Sequence, residues 1–139
     1  MYFIGLLLAV FILVATMLLG GSPMLFVNAP SVMIVVGCSI ALQIATHGGK
    51  NSAVFKFSVP DNLSDDERSS RSAAIIDFRT YLVASGWIGF LIGGILMAAN
   101  LTDLNALGPG LAVALLTVFY GYFLSYFIYY PLQRRLEQY

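Results

Sequence analysis

Long stretches without a charged side chain constrain this sequence more than any other feature. Residues 1–49, 80–102 and 104–133 contain no Asp, Glu, Lys or Arg. About twenty apolar residues suffice for a helix to cross the hydrocarbon core of a bilayer. With 59% hydrophobic and 10% charged residues, the chain is also far more apolar than a soluble domain. The sequence therefore predicts an integral membrane protein of all-α class.

Turn-forming residues divide these stretches into four predicted transmembrane helices in one membrane domain, 1–139. Gly20-Gly21-Ser22-Pro23 and Asn28-Ala29-Pro30 break the first 49 residues. A cleaved signal peptide would be another interpretation of the start, but a basic n-region and a convincing cleavage site are missing. Gly108-Pro109-Gly110 is predicted to start the last helix, since proline is tolerated in a first turn. The four spans are predicted at about 1–19, 31–47, 80–101 and 108–132.

The loop 48–79 is the main polar segment, with five of the seven basic and five of the seven acidic residues. The other two basic residues follow the last span, so the positive-inside rule predicts that this loop and both termini are cytoplasmic. Ser64-Asp-Asp-Glu67 matches a capping box, which predicts a helix from Asp65 that continues to Ala99 as the third span. Residues 53–59 are predicted to form a short strand or an interfacial segment.

Small residues at helical spacing predict close helix packing. In the second span they are Gly37, Ala41 and Ala45, and in the third and fourth spans they are Gly86, Gly89, Gly93 and Gly121. These faces offer more close-packing surface than one four-helix unit needs, so we expect a homo-oligomer. Cys38 is predicted to pack as a small apolar residue. His47 is predicted to face water at the membrane interface in preference to serving as a proton relay.

The last span carries a family resemblance. The stretch LGPGLAVALLTVFYGYFLSYFIYYPLQRRLE has Leu107–Gly110, the run Ala112-Val-Ala-Leu-Leu-Thr117, Tyr120-Gly121, and Pro131 shortly before a basic pair. This order resembles the fourth membrane helix of the MotA family, the flagellar stator subunits related to TolQ and ExbB. The second and third spans are similar to the family too, except that Val83 stands where a proline is usual and Phe90 where many members have a hydroxyl.

The resemblance implies a channel-wall subunit of an ion-driven motor in the inner membrane. Family members form a pentameric ring around a single-span partner of the MotB, TolR or ExbD type, in two copies, which carries the essential aspartate. It implies that Thr117 is the best candidate for lining the ion route, with Ser85, Phe90, Tyr120 and Ser125 as further lining residues and Pro131 as a hinge or fixed stop. The alternative for Thr117 is a hydrogen bond to a carbonyl of its own helix, which needs no function. The short 48–79 loop leaves little room for the rotor-contacting surface of flagellar stators.

The residue types in the uncharged stretches also disfavour several functions for the chain alone. The uncharged stretches hold no carboxylate, so conduction by this chain without a partner is not expected. The same absence disfavours a small four-span multidrug exporter, whereas a non-conducting membrane scaffold stays open as the alternative function. No nucleophile–base pair, metal cluster or phosphate loop is visible, so neither enzyme activity nor a cofactor is predicted. Membrane lipid is an expected partner and nucleic acid is not. With Phe90 and Val118 in place of hydroxyls, a proton is favoured over sodium.

Overall fold

A computed structural model of the chain describes residues 2–48 and 52–138, all in helices or their connections, with no strand in those ranges. Two π-helices, Met33–Gly37 and Leu124–Tyr129, each continue directly from one α-helix into the next. The helices are α1 (Tyr2–Gly20), α2 (Ala29–Val32), α3 (Cys38–His47), α4 (Ser52–Phe55), α5 (Asp65–Ala99), α6 (Leu104–Phe123) and α7 (Tyr130–Glu137), with a 3-10 turn at Pro23–Phe26.

Helix α5 contacts all the other helical segments from α3 onwards. It begins at Asp65 because Ser64 and Glu67 form a capping box: the Glu67 N–H donates to Ser64 Oγ at 3.3 Å and the Ser64 N–H to Glu67 Oε2 at 3.2 Å. Its 35 residues contain glycines but no proline, and it ends at Ala99, as the sequence predicted. At 1.5 Å per residue it is about 52 Å long.

The connection 100–103 returns the chain so that α6 runs antiparallel along α5. The Asp103 side chain accepts the Asn105 N–H at 3.0 Å and so caps the first turn of α6. The predicted helix start at Gly108-Pro109-Gly110 was therefore wrong, because α6 begins at Leu104 and contains Pro109. The helix also continues past Pro131, through α7 to Glu137.

The helical segment 29–47 packs against α5, and its first part also contacts α6. Asn28 caps its start, since Asn28 Oδ1 accepts the Ser31 N–H at 3.0 Å. The buried residues of this segment are spaced four apart: Ser31, Val35, Ser39 and Gln43. Gln43 Nε2 donates to the Ala74 carbonyl at 3.2 Å, so even a polar side chain contributes to this apolar contact.

An apolar core lies at the end of the molecule that carries the 48–79 loop. Its buried members come from α4, α5 and the segment 124–137, together with Val35 from the segment 29–47. Phe78 is in edge-to-face contact with Tyr129, with ring centres 4.9 Å apart. Arg71 fastens the loop to α5, because Arg71 Nη2 donates to the Lys56 and Ser58 carbonyls at 2.8 and 3.1 Å. Of the two interpretations of residues 53–59, the strand is wrong: the segment starts in α4 and then continues without regular structure.

Three helical segments are long and apolar enough to cross a membrane: Pro23–His47, Asp65–Ala99 and Leu104–Glu137. Helix α1 is apolar but shorter, and its large side chains are mostly exposed, with Leu19 at 89% and Ile4 at 71%. The prediction of an all-helical chain is thus confirmed for the described residues, and three segments are candidate membrane-spanning helices. The count of four spans stays a prediction.

Candidate functional site

Glycines bring α5 and α6 into backbone contact along the middle of the membrane segments. A Cβ atom on Gly93 would lie 2.5 Å from the Ala114 nitrogen and 2.6 Å from the Gly110 carbonyl oxygen. One on Gly86 would lie 2.8 Å from the Thr117 carbonyl oxygen, and one on Gly121 would lie 2.6 Å from the Leu82 carbonyl oxygen. These distances are shorter than real Cβ contacts, so only glycine permits this approach. The contact of Gly86, Gly89 and Gly93 is therefore made inside one chain.

Gly37 and Ala41 are placed differently from the other predicted packing residues. Both are exposed, as is Ala45, and no atom of the described chain lies within 4 Å of a Cβ built on Gly37. Cys38 beside them is exposed too. The small-residue face of the segment 29–47 thus points away from the chain's own helices.

Thr117 lies at the centre of the α5–α6 contact and is fully buried. Its methyl-bearing side chain fills the space that Gly89 leaves open, and a Cβ on Gly89 would come within 2.6 Å of Thr117 Cβ. The hydroxyl donates to carbonyls of its own helix, Val113 at 2.8 Å and Ala114 at 3.1 Å. Such back-bonding satisfies a buried hydroxyl without any ligand.

Ser85 is buried where α5 meets the segment 29–47. Its Oγ accepts from Ser39 Oγ at 3.4 Å, and Ser39 Oγ also bonds the Val35 carbonyl at 2.5 Å. These two serines form a small polar contact between α5 and the segment 29–47. Ser85 lies one helical turn before Gly89, on the same face of α5.

Tyr120 joins α6 to the connection before α2. Its hydroxyl donates to the Phe26 carbonyl and accepts the Asn28 N–H at 3.1 Å. Two backbone groups outside regular helix are thereby satisfied by a single side chain. The structure gives Tyr120 the geometry of a clip between two distant parts of the sequence.

Ser125 lies in the π-helix Leu124–Tyr129, and Pro131 lies in the first turn of α7. Proline lacks an N–H and its ring crowds the carbonyl four residues earlier, so a regular α-helix is disturbed there. The π-helix Leu124–Tyr129 lies directly before Pro131, and π-turns often occur where a helix is disturbed. The Ser125 carbonyl accepts both the Tyr130 N–H and Arg79 Nε, the latter at 3.1 Å.

Phe90 is partly exposed and stacks edge-to-face on Trp87 at 5.7 Å. Each of the other predicted pathway residues has its own contact within the chain. Thr117 packs against Gly89, Ser85 contacts Ser39, Tyr120 bonds the connection before α2, and Ser125 lies in the π-helix. Their role in an ion route stays a prediction. In the described residues no group of three or more His, Cys, Asp and Glu could hold a metal ion.

His47 is partly buried, with Nε2 3.3 Å from Asp77 Oδ2. Its Nδ1 lies 2.9 Å from Thr46 Oγ1, which in turn accepts from the Tyr81 hydroxyl at 3.2 Å. The histidine thus joins the end of α3 to α5, a role that the prediction of a water-facing side chain omitted.

Sequence reasoning also missed an arginine held by aromatic rings. The Arg79 Cζ lies 4.7 Å from the Tyr130 ring centre and 5.2 Å from that of Tyr126. The available signal was the pair Tyr126 and Tyr130, four residues apart in the last segment, together with Arg79 as the last charge before the second uncharged stretch, 80–102.

Comparison with known proteins gives partial matches. No family model matches the chain. The chain is 36% identical over 75 residues to the chemotaxis protein PomA of Vibrio alginolyticus, covering 54% of this chain and 30% of that protein. It is 45% identical over 56 residues to motility protein A of Cereibacter sphaeroides, covering 40% of this chain and 22% of that protein. It is 43% identical over 74 residues to motility protein A of Aquifex aeolicus, covering 52% of this chain and 29% of that protein.

The helices and these relatives together define a multi-pass membrane protein. Over the matched segments the chain is MotA-like, which confirms the resemblance drawn from the sequence. It spans between 22 and 30% of the length of these three relatives.

Proposed function

We propose that this chain is a channel-wall subunit of an ion-driven, stator-type membrane motor. The similarity to motility protein A and PomA is the observation that carries the proposal. The helices α5 and α6 support it, since they form a rigid, closely packed pair that can serve as one wall element. In the proposed assembly, five copies form a ring in the inner membrane, with both termini and the 48–79 loop in the cytoplasm.

The proposed partner is a single-span protein of the MotB, TolR or ExbD type, in two copies, which supplies the membrane aspartate. The need for it follows from the chain itself, because the uncharged stretches of the sequence hold no carboxylate to take up an ion. We propose a proton as the coupling ion. Sodium requires several oxygen ligands, and the hydroxyl of Thr117 is already bonded to its own helix while Phe90 offers none.

Reconstitution tests this function directly. The chain and a single-span partner with one membrane aspartate are placed together in vesicles, and a pH gradient is applied with and without sodium. We expect proton flux that needs the partner and its aspartate and does not need sodium. Strict sodium dependence at constant pH would contradict the choice of ion. Absence of flux of either ion would favour the non-conducting scaffold.

Substitution of Thr117 tests the proposed ion route. Thr117→Val keeps the shape that packs against Gly89 and removes the hydroxyl. Thr16→Val is the matched control, because Thr16 Oγ1 makes the same kind of back-bond, to the Ile12 carbonyl at 2.7 Å, on exposed α1. If Thr117 lines the route, flux falls in Thr117→Val alone while both variants keep wild-type stability. Equal flux in both would leave Thr117 a packing residue.

A further inference from the structure

A cleft between α5 and the π-helix Leu124–Tyr129 combines an arginine with apolar walls. Its volume is about 380 Å³ and it is open to the surface of the molecule. The residues that matter for its chemistry are Arg79, Thr80, Val83 and Ala84 on α5 and Ser125 and Tyr126 opposite. Ser125 is the only one of these residues that the sequence analysis assigned to the ion route, and Arg79 was assigned no function there.

The guanidinium of Arg79 is held in one orientation. Nε donates to the Ser125 carbonyl at 3.1 Å, Nη1 donates to Gln133 Oε1, and the rings of Tyr126 and Tyr130 pack against it. A guanidinium has five N–H donors, so these two bonds leave donors for a ligand. Among the described residues no carboxylate lies within ion-pair distance of Arg79. The cleft therefore presents an oriented positive charge without an anion.

The position of Arg79 along α5 indicates where the cleft lies relative to the membrane surface. Arg79 is the last charged residue before the uncharged stretch 80–102, and Arg134 is the first after the stretch 104–133. Both surround the Tyr130 ring, with the Arg134 Cζ 5.5 Å from its centre. The apolar stretches of α5 and of the antiparallel segment Leu104–Glu137 thus end at the same level, where we expect the hydrocarbon core to give way to headgroups. Val83 and Ala84 lie one turn further into the apolar region.

We propose that this cleft binds the headgroup phosphate of an anionic phospholipid, in the leaflet on the side of the 48–79 loop. The planar guanidinium fits a phosphate with two parallel N–H···O bonds. The first part of an acyl chain then lies along Val83 and Ala84. An acidic peptide would match the charge but would leave this apolar wall uncovered, whereas a lipid matches both. Basic pockets between membrane helices are known to recognise anionic headgroups in this way.

Lipid retention by the full chain tests the proposal. The protein is reconstituted in vesicles of phosphatidylcholine and phosphatidylglycerol at a 3:1 ratio, extracted in mild detergent and examined by native mass spectrometry. We expect about one phosphatidylglycerol retained per subunit in preference to phosphatidylcholine. Arg79→Gln should weaken that retention about ten-fold or more, as expected for the loss of charge-assisted bonds. Arg135→Gln is the matched control, because it removes the same charge at the same end of the molecule but lies outside the cleft.

A second variant keeps the test decisive if Arg79→Gln does not fold. Ala84→Phe retains the arginine and fills the apolar wall from an exposed position, so it should also reduce phosphatidylglycerol retention. Unchanged retention in Ala84→Phe and in folded Arg79→Gln would overturn the proposal, as would an equal loss in Arg135→Gln. Displacement of the lipid by millimolar inorganic phosphate would also overturn it, because the site would then bind free phosphate.

Discussion

At the scale of single residues, Gly93 is the position where a small change should have the clearest effect. A methyl group there would meet the Ala114 nitrogen and the Gly110 carbonyl, which are backbone atoms and cannot move aside alone. Overpacking of this kind costs about 1–3 kcal/mol, partly offset by the ~1 kcal/mol by which alanine favours a helix over glycine. We expect Gly93→Ala to lower the free energy of unfolding in mixed micelles.

The neighbouring Gly94 supplies the control for this prediction. No atom lies within 4 Å of a Cβ built on Gly94, so Gly94→Ala gains the helix propensity without the clash. It should be neutral or slightly stabilising. Equal stability of the two variants would contradict the close approach of α5 and α6.

Tyr120 gives a second prediction at this scale. Tyr120→Phe leaves the Phe26 carbonyl and the Asn28 N–H without the hydroxyl that bonds both. An unsatisfied partly buried group costs about 1–3 kcal/mol, so we expect lower stability and faster hydrogen exchange at the Asn28 amide. Tyr122→Phe, at an exposed position on the same helix, should change neither quantity. Unaltered exchange in Tyr120→Phe would contradict the clip.

The sequence identified the glycines as packing residues but not their partners. Helical spacing of Gly86, Gly89 and Gly93 specifies a face that permits close approach, and any complementary helix could occupy it. The structure shows that the helix packed against this face is α6 of the same chain, which runs antiparallel to α5. Tyr120 was singled out for its hydroxyl, whereas its partners are backbone groups of an irregular connection, which no periodic pattern reveals.

At the scale of the element, the start of α5 is testable through its capping box. Ser64→Ala removes the side-chain acceptor of the Glu67 N–H, which costs about 1 kcal/mol for a typical N-cap. We expect faster hydrogen exchange in the first turn, residues 65–68, with the membrane part of α5 unchanged. Ser69→Ala, exposed inside the same helix, should leave exchange in that turn as it is. Protection equal to wild type in Ser64→Ala would contradict a capping role.

The bounds of α5 could be read from the sequence because local chemistry decides them: a capping box at one end and no proline up to Ala99. The predicted start of α6 at Gly108-Pro109-Gly110 rested on the proline, whereas the Asp103 side chain caps a helix that begins four residues before that motif, at Leu104. The π-helices could not be predicted at all. In the second π-helix, Leu124–Tyr129, the Ser125 carbonyl accepts a hydrogen bond from Arg79, which lies 46 positions earlier in the sequence. Local sequence patterns do not reveal such a long-range bond.

At the scale of the whole molecule, topology is the first quantity to measure. All seven basic residues lie in the loop 48–79 or after the last span, whereas Asp103 lies in the opposite connection. We expect Ser69→Cys and Asn105→Cys, each in a Cys38→Ala background, to react with a membrane-impermeant thiol reagent from opposite sides. Labelling of both from outside intact cells would contradict the arrangement of spans.

Assembly is the second quantity at this scale. The face formed by Gly37, Ala41 and Ala45 points outward in the single chain, so it is available to a neighbouring copy. If the proposed ring uses this face, Ala41→Leu should reduce the oligomer seen by native mass spectrometry without lowering the stability of the monomer. Ala98→Leu, exposed on α5, should leave the oligomer intact. A wild-type chain that stays monomeric in lipid would contradict the ring itself.

The clip between Tyr120 and Asn28 also implies an order of events during synthesis. The helices α5 and α6 follow each other across a connection of only four residues, 100–103, so their pairing closes a short loop. The bond to Asn28 joins residues 92 positions apart and cannot form until α6 has been made. We therefore expect the segment 29–47 to stay undocked in the bilayer until α5 and α6 have paired. The part of the chain made last then becomes the template on which the part made earlier docks.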